Sequence, residues 1–272
     1  MPEPTRPVAY LLDLDGTLYA GGAAVPGAPE ALGRLRLGGV PFRLVTNTTS
    51  RSRAMLVERM RGYGFAVEPE EIFTATLAGA AFARDAGIRV VAPFLPAPAL
   101  EDLSGFELVG GSSGRKRPPR AGRGGGAPEA VILGDLGEGW AYEALQEAFE
   151  YVMGGASIIA LSRDRYWQRG DRLALDAGPF VAALEYASGV DAVVAGKPSP
   201  AFYAAALDSL GIARPAEAAM VGDDLWSDVQ GAQRAGLKGW LVRTGKFREK
   251  TLRDSGIAPD RVLASVAELA PT

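Results

Sequence analysis

Short apolar runs alternate with amphipathic stretches along the first third of the chain. The run from Val8 to Leu14 is brief and is followed by a Gly-Thr pair, which predicts a buried strand rather than a helix. After the helical pattern APEALGRLRLGG, a second strand-like run, PFRLVTN, ends at Asn47, and the helical pattern SRAMLVERMRGYG follows it. Strands and helices in this alternation predict an α/β fold with a doubly wound parallel sheet, the Rossmann-like arrangement.

The C-terminal part of the chain repeats the alternation. Strand-like runs occur in DAVVAGKP, AAMVGDD and GWLVRTG, and helical patterns occur in PAFYAAALDSLG and WSDVQGAQRAG. Doubly wound sheets bind their ligands beyond the carboxyl ends of the strands. The polar residues that we expect at such ends are Asp13, Asp15, Thr46, Asn47, Lys197, Asp223 and Asp224.

The middle of the chain carries its own set of strand and helix signals. They are RVVAPF, EAVILGDL, YEALQEAFEYVMGG and SIIALS. A chain of 272 residues exceeds the usual length of one domain, so we expect an α/β domain inserted into the core. The predicted boundaries are 1–79 and 191–272 for the core and 80–190 for the insertion.

A low-complexity tract, GSSGRKRPPRAGRGGG, occupies residues 111–126. It is rich in Gly, Arg and Pro, which is typical of a flexible loop or of a nucleic-acid-binding arm. The tract has no aromatic residue on which bases could stack, so we favour the loop and expect no nucleic-acid partner.

Composition and charge describe a globular protein without a general attraction for polyanions. Hydrophobic residues make up 47% of the chain and charged residues 22%, and the net charge is −3. No apolar stretch approaches the roughly 20 residues that span a bilayer, and the start MPEPTRPVAY lacks the apolar segment of a signal peptide. We therefore expect a cytoplasmic protein with no membrane partner. The sequence leaves the oligomeric state open, a homodimer included.

Two residue types are missing, and their absence narrows the chemistry. The chain contains no Cys and no His, which excludes disulfides, thiolate nucleophiles, Ser-His-Asp catalysis and ordinary zinc sites. Any reaction must use carboxylates, lysine, hydroxyls and backbone groups. Clustered hard oxygen ligands favour Mg²⁺ as the cofactor.

Four polar stretches carry the candidate chemistry: DLDGT (13–17), TNTTS (46–50), GKP (196–198) and VGDDLWSD (221–228). Residues i and i+2 share one face of a strand, so the carboxylates of Asp13 and Asp15 would repel each other unless a cation lies between them. Hydroxyl and amide donors in TNTTS, with the lysine of GKP, suit an anion such as phosphate. Each stretch alone has a simpler explanation, as a solvated strand end, a helix cap or a surface lysine. Their common placement at strand ends favours one site for phosphoryl transfer, with one aspartate as nucleophile and another as general acid and base.

At these stretches the chain resembles the haloacid dehalogenase-like hydrolase superfamily, whose members are mostly Mg²⁺-dependent phosphatases. DLDGT is similar to the first motif of the superfamily, TNT to the second, Lys197 to the third and GDDLWSD to the fourth. The resemblance covers nearly the whole chain. The long interval between Asn47 and Lys197 resembles the NagD-like branch, subfamily IIA, which has a large α/β cap of the C2 type after the second motif.

The resemblance implies a role for each candidate residue. Asp13 would be the nucleophile and Asp15 the general acid and base. The metal ligands would be Asp13, the backbone carbonyl of Asp15, and Asp223. The phosphoryl group would be bound by Thr46, Asn47 and Lys197, and the metal ligands would be supported by Asp224 and Asp228. The candidate cap residues for substrate selectivity are Arg165, Tyr166 and Trp167, unless the segment that contains them has only a packing role.

The function predicted from these observations is a Mg²⁺-dependent phosphatase that forms an aspartyl phosphate. Its substrate would be a small phosphomonoester, a phosphoamidate or pyrophosphate. One alternative is a non-catalytic phosphoacceptor module of the receiver type, although such domains have about half this length and need no inserted domain. A second alternative is a metal-independent dehalogenase, which would leave Asp15 and Asp223 without a task.

Overall fold

The computed structural model describes residues 6–114, 126–169 and 171–269. Residues 115–125, which make up most of the low-complexity tract, lie outside the described residues. The flexible loop predicted for this tract therefore falls mostly outside them as well. Within the described part, the longest α-helices have 12 residues, and none of the helices is long and apolar enough to cross a membrane.

Fifteen strands are present in the described part of the chain. In chain order they are β1 (Ala9–Asp13), β2 (Tyr19–Ala20), β3 (Ala23–Ala24), β4 (Phe42–Thr46), β5 (Ile72–Thr74), β6 (Val90–Phe94), β7 (Glu107–Leu108), β8 (Ala130–Leu133), β9 (Ser157–Ala160), β10 (Tyr166–Arg169), β11 (Arg172–Leu175), β12 (Val193–Val194), β13 (Ala218–Gly222), β14 (Lys238–Val242) and β15 (Arg261–Leu263).

Eight α-helices occur in the same described ranges. They are α1 (Ala28–Leu37), α2 (Arg53–Gly62), α3 (Ala75–Asp85), α4 (Tyr142–Met153), α5 (Ala177–Ser188), α6 (Pro200–Asp208), α7 (Gly231–Arg234) and α8 (Glu249–Ser255). Short 3₁₀ turns lie at Pro69–Glu71, Ala97–Leu103, Gly137–Gly139, Pro215–Glu217 and Val266–Glu268, and a π-helix spans Leu225–Gln230.

The chain divides into two compact units. The first contains residues up to 46, 54–73 and from 197 onwards, and the second contains 47–53 and 74–196. These limits differ from the predicted ones at 79/80 and 190/191. The reason at the first limit is that α3 packs in the second unit, where its Ala75, Ala80 and Ala83 belong to a buried cluster with residues of that unit's strands.

A six-stranded sheet organises the first unit, in the order β15-β14-β13-β1-β4-β5. Strand β1 pairs in parallel with β13 on one side and β4 on the other. The chain runs outward from β1 through β4 and β5, and later starts again at β13 on the opposite side, so the strand order reverses between β1 and β13. Every residue of β1 and β13 is buried, as in parallel sheets covered on both faces. The doubly wound fold is confirmed, and its switch point lies where β1 ends at Asp13 and Asp223 follows β13.

The second unit contains a five-stranded parallel sheet of its own, in the order β12-β9-β8-β6-β7. Buried side chains cover both faces. Ala80 of α3 belongs to one buried apolar cluster together with Leu161. Ala148 of α4 and Val181 of α5 belong to a second buried apolar cluster. The predicted mixed α/β character of this segment is therefore confirmed.

The strand in DAVVAGKP does not belong to the core sheet, and that part of the prediction is wrong. Residues Val193–Val194 form β12, which pairs with Ile159 and Ala160 of β9 in the second unit. In the first unit the three-residue β5 is the edge strand beside β4. The aromatic segment proposed as a cap lining forms the antiparallel hairpin β10–β11.

Candidate active site

A buried lysine joins two aspartates at the carboxyl edge of the first unit's sheet. Lys197 Nζ donates to Asp13 Oδ1 at 2.6 Å and to Asp228 Oδ1 at 2.7 Å. The Lys197 side chain is 4% exposed and that of Asp13 11%. Burial alone would lower the pKa of Lys197, but the charges of Asp13 and Asp228 raise it well above its usual value. The lysine is therefore a permanent positive charge beside Asp13.

Three carboxylates converge at this point. Asp13, Asp223 and Asp228 each place an oxygen within 4.8 Å of the other two, and they form an acidic group able to hold a metal ion in the described part of the chain. Burial, followed by the charges of Asp13 and Asp228, raises the pKa of Asp223 to about 7. Burial likewise raises the pKa of Asp228 to about 6, against the opposing charge of Lys197. One ammonium does not balance three carboxylates, so this all-oxygen set fits a hard divalent cation.

A loop after β14 holds Asp223 in place. Lys246 N donates to Asp223 Oδ2 at 2.7 Å, and Thr244 Oγ1 donates to the carbonyl oxygen of Gly16 at 2.5 Å. A Cβ atom at Gly16 or at Gly245 would lie 2.0 Å from Asp223 Oδ2. Only glycine leaves room for the carboxylate between these two turns. The sequence analysis predicts no role for this loop, which follows the strand-like run GWLVRTG.

Asp224 and Asp228 shape the turn that follows β13. Asp224 Oδ1 accepts from the backbone N–H groups of Trp226 and Ser227, both at 3.0 Å, and so caps the π-helix. Asp228 Oδ2 accepts from Asp224 N at 3.1 Å, while its Oδ1 accepts from Lys197. Both oxygens of Asp228 thus already have donors. This pattern suits a supporting role, which is the role that the resemblance implies for both residues.

Asp15 differs from the buried carboxylates. Its side chain is 55% exposed, and its oxygens contact Tyr19 and Arg59 rather than the acidic group of Asp13, Asp223 and Asp228. Neither Tyr19 nor Arg59 was singled out from the sequence. Tyr19 stands within DLDGTLY, but the contact of Arg59 depends on how α2 packs and leaves no local signal.

The remaining predicted residues are distributed over both units. Thr46 is buried at the end of β4 in the first unit, and Asn47 begins the 47–53 segment of the second. Tyr166 and Trp167 are 53% and 40% exposed on the β10–β11 hairpin of the second unit, and the Arg165 guanidinium lies 5.9 Å from the centre of the Tyr166 ring. The structure therefore brings Asp13, Lys197, Asp223 and Asp228 into contact within one unit.

Comparison with known sequences identifies the family. A family model described as haloacid dehalogenase-like hydrolase matches residues 10–105, and a HAD-hydrolase-like model matches residues 194–269. The haloacid dehalogenase-like hydrolase domain-containing protein 2 of Rattus norvegicus is 43% identical over 242 residues, which cover 88% of this chain and 85% of the relative. The chain belongs to the haloacid dehalogenase-like hydrolase family. The superfamily resemblance of its four motifs is thereby confirmed.

Other members of the family include named phosphatases. The phospholysine phosphohistidine inorganic pyrophosphate phosphatase of Bos taurus is 35% identical over 266 residues, covering 95% of this chain and 91% of the relative. Among solved structures, a p-nitrophenyl phosphatase from Archaeoglobus fulgidus superposes with a TM-score of 0.84 at 28% identity, covering 97% of this chain and 98% of that one. NagD from E. coli K-12 gives a TM-score of 0.84 at 27% identity, covering 98% and 100%. The predicted assignment to the NagD-like branch, a branch of phosphatases, is confirmed.

Proposed function

We propose that this protein is a Mg²⁺-dependent phosphatase that hydrolyses small phosphorylated molecules through an aspartyl phosphate on Asp13. The observation that carries the proposal is the buried Asp13 carboxylate, which is hydrogen-bonded to Lys197 at 2.6 Å and grouped with Asp223 and Asp228. The phosphatases among its relatives support the same chemistry.

In the first step a carboxylate oxygen of Asp13 attacks phosphorus, and the bond from phosphorus to the leaving oxygen or nitrogen breaks. The neutral carboxyl of Asp15 gives its proton to the departing atom. In the second step Asp15, now a carboxylate, takes a proton from the water that attacks the phosphorus, and the bond between phosphorus and the Asp13 oxygen breaks. Inorganic phosphate leaves, and Asp13 and Asp15 return to their starting protonation states.

The chain's own residues prepare this reaction. Lys197 is placed to stabilise negative charge on the transferring phosphoryl group, since its ammonium is buried and cannot be screened by water. We assign phosphoryl binding also to Thr46 and Asn47, on the resemblance to the second motif. Asp13, the Asp15 carbonyl and Asp223 would hold Mg²⁺, which when bound would neutralise the carboxylates and the phosphoryl oxygens.

The direct test is to trap the covalent step. The enzyme is quenched during turnover of p-nitrophenyl phosphate with Mg²⁺ and treated with hydroxylamine, and the modified residue is located by mass spectrometry. We expect modification at Asp13, no turnover by Asp13→Asn, and full turnover by the control Asp85→Asn, which alters an exposed aspartate at the end of α3. Substantial turnover by Asp13→Asn would contradict the mechanism, and so would full activity in excess chelator.

Substrate selectivity belongs to the second unit in this proposal. We expect Trp167→Ala to change kcat/KM among phosphomonoesters, phosphoamidates and pyrophosphate by about tenfold, while turnover of p-nitrophenyl phosphate changes less than about twofold. A panel of these substrates measured at one Mg²⁺ concentration checks it. Tyr186→Ala, which truncates another exposed aromatic residue of the same unit, is the control. Equal losses across the panel would contradict a selectivity role for Trp167.

A further inference from the structure

The Asp15 carboxylate has one partner on each of its oxygens. Tyr19 OH donates to Asp15 Oδ2 at 3.2 Å, and Arg59 Nη2 lies 3.9 Å from Asp15 Oδ1. The aspartate side chain is 55% exposed, so without these partners it would be free to sample several rotamers. Both partners approach from the first unit, which also contains Asp13 and Lys197.

Tyr19 offers its hydroxyl from a fixed point. The residue is 1% exposed, and its ring centre lies 5.4 Å from that of Tyr63. Its backbone closes the turn that follows β1, because Tyr19 O accepts from Gly16 N at 2.7 Å and Tyr19 N donates to Leu14 O at 3.3 Å. A ring that is fixed at both its backbone and its face places the hydroxyl beside Asp15 with little freedom.

Arg59 reaches the same place from helix α2. Its guanidinium lies 4.7 Å from the centre of the Tyr19 ring, and its Nε donates to Tyr63 OH at 3.3 Å. The stacked arrangement keeps the charge close to Asp15 while the arginine side chain stays 29% exposed. An ion pair this exposed contributes little to stability, so stability alone does not account for the arrangement.

We propose that Tyr19 and Arg59 are positioning residues that hold the Asp15 carboxyl in the orientation needed for proton transfer to and from the reacting oxygen atoms. This inference rests on the proposed function, in which Asp15 serves both steps. A general acid contributes most when the leaving group is basic and least when it departs readily as an anion. Asp15 acts as general acid in the first step, and kcat/KM reports that step alone because the second step follows departure of the leaving group. Loss of positioning must therefore lower kcat/KM most for substrates with a basic leaving group, whereas loss of fold or of phosphoryl binding would lower it equally for all substrates.

The experiment compares two substrates, p-nitrophenyl phosphate and phenyl phosphate, whose leaving group is the more basic. We expect Tyr19→Phe to lower kcat/KM for phenyl phosphate about fivefold to tenfold and kcat/KM for p-nitrophenyl phosphate less than about twofold. Arg59→Met should change the ratio of the two kcat/KM values in the same direction, and Arg59→Lys should restore part of it. Tyr186→Phe is the control, since it removes the hydroxyl of a tyrosine that is 94% exposed on α5.

Asp15→Asn, measured on the same pair, separates this inference from the proposed function. If Asp15→Asn lowers kcat/KM equally for both substrates, the assignment of Asp15 as general acid fails, and the positioning role fails with it. If the effect of Asp15→Asn on kcat/KM depends on the leaving group while Tyr19→Phe and Arg59→Met behave like Tyr186→Phe, the positioning role alone is overturned. The positioning role is supported if Tyr19→Phe, Arg59→Met and Asp15→Asn all change the ratio between the two substrates in the same direction.

Discussion

Gly16 shows how little space surrounds the Asp223 carboxylate. Its φ is +92°, a backbone conformation that favours glycine, and a Cβ atom there would lie 2.0 Å from Asp223 Oδ2. Gly22 has a similar φ of +87° but nothing within 4 Å of its Cβ position. Both positions therefore have a backbone conformation that favours glycine, but only Gly16 is crowded by a neighbouring side chain.

We predict different outcomes for Gly16→Ala and Gly22→Ala. Gly22→Ala should lower the free energy of unfolding by about 1 kcal/mol, the cost of a left-handed alanine. Gly16→Ala should lower it by about 2 kcal/mol more because of the added contact, and should raise the Mg²⁺ concentration for half-maximal activity about tenfold. Urea unfolding and a Mg²⁺ titration of turnover measure both effects. Identical behaviour of the two variants would show that Asp223 moves aside without consequence.

Some residues of the site can be recognised in the sequence and others cannot, for a physical reason. Asp13 and Asp223 are recognisable because Asp13 is the last residue of a strand and Asp223 follows one directly, at the edge where a doubly wound sheet binds its ligands. Lys246 contributes a backbone N–H to Asp223, and every residue except proline has one, so its identity carries no local signal. Arg59 reaches Asp15 across 44 residues of chain, a contact that only the packing of α2 creates.

At the scale of elements, the turn after β13 depends on one aspartate. Asp224 caps the π-helix through Oδ1 and accepts from Lys246 Nζ through Oδ2 at 2.9 Å. Burial alone would raise the pKa of Asp224, but the charge of Lys246 and the hydrogen bonds hold the pKa below its ordinary value of 3.8. A lowered carboxyl pKa gives stability that is present above that value and is lost as the pH falls through the folded-state pKa.

We therefore predict a pH-dependent difference between wild type and Asp224→Asn. Asparagine still caps the turn, so at neutral pH the variant should lose only about 0.5–1 kcal/mol of unfolding free energy, through the ion pair with Lys246. That difference should shrink as the pH falls below about 3.8 and through the lowered pKa of the wild-type carboxyl, where the ion pair is lost. Asp224→Ala should lose about 1 kcal/mol more at every pH because the cap is gone. Chemical unfolding in the presence of chelator at several pH values measures all three.

The sheet to which a short strand belongs escapes prediction for a different reason. The buried strands β1 and β13 are predicted from apolar runs, whereas β5, with three residues, has no such run, and β12, with two residues, is predicted as a strand but in the wrong sheet. A strand of two residues has no periodicity, so its sheet is decided by which edge is open to it. Strand β12 pairs with β9, and for that reason the chain enters the first unit at Lys197 instead of at residue 191.

At the scale of the whole molecule, an excess of buried carboxyl groups makes the free energy of unfolding depend on pH. Burial and the nearby carboxylates raise the pKa of Asp223 to about 7. Between its ordinary value of 3.8 and about 7, the native protein keeps a proton that the unfolded chain has lost. The metal-free protein therefore loses stability as the pH rises through this window.

The last prediction follows from the competition between that proton and the proposed cation. Since Mg²⁺ binds carboxylates, its stabilising effect should be small at about pH 5 and should grow as the pH rises to about 8. At a concentration one hundred times the Kd, bound Mg²⁺ should add about 2.7 kcal/mol to the free energy of unfolding. Thermal unfolding with Mg²⁺ or with chelator, across this pH range, measures the effect. Asp223→Asn should abolish both the Mg²⁺ shift and much of the pH dependence of the metal-free protein, while Asp85→Asn should keep both. A Mg²⁺ shift that is independent of pH, or that survives in Asp223→Asn, would place the cation elsewhere.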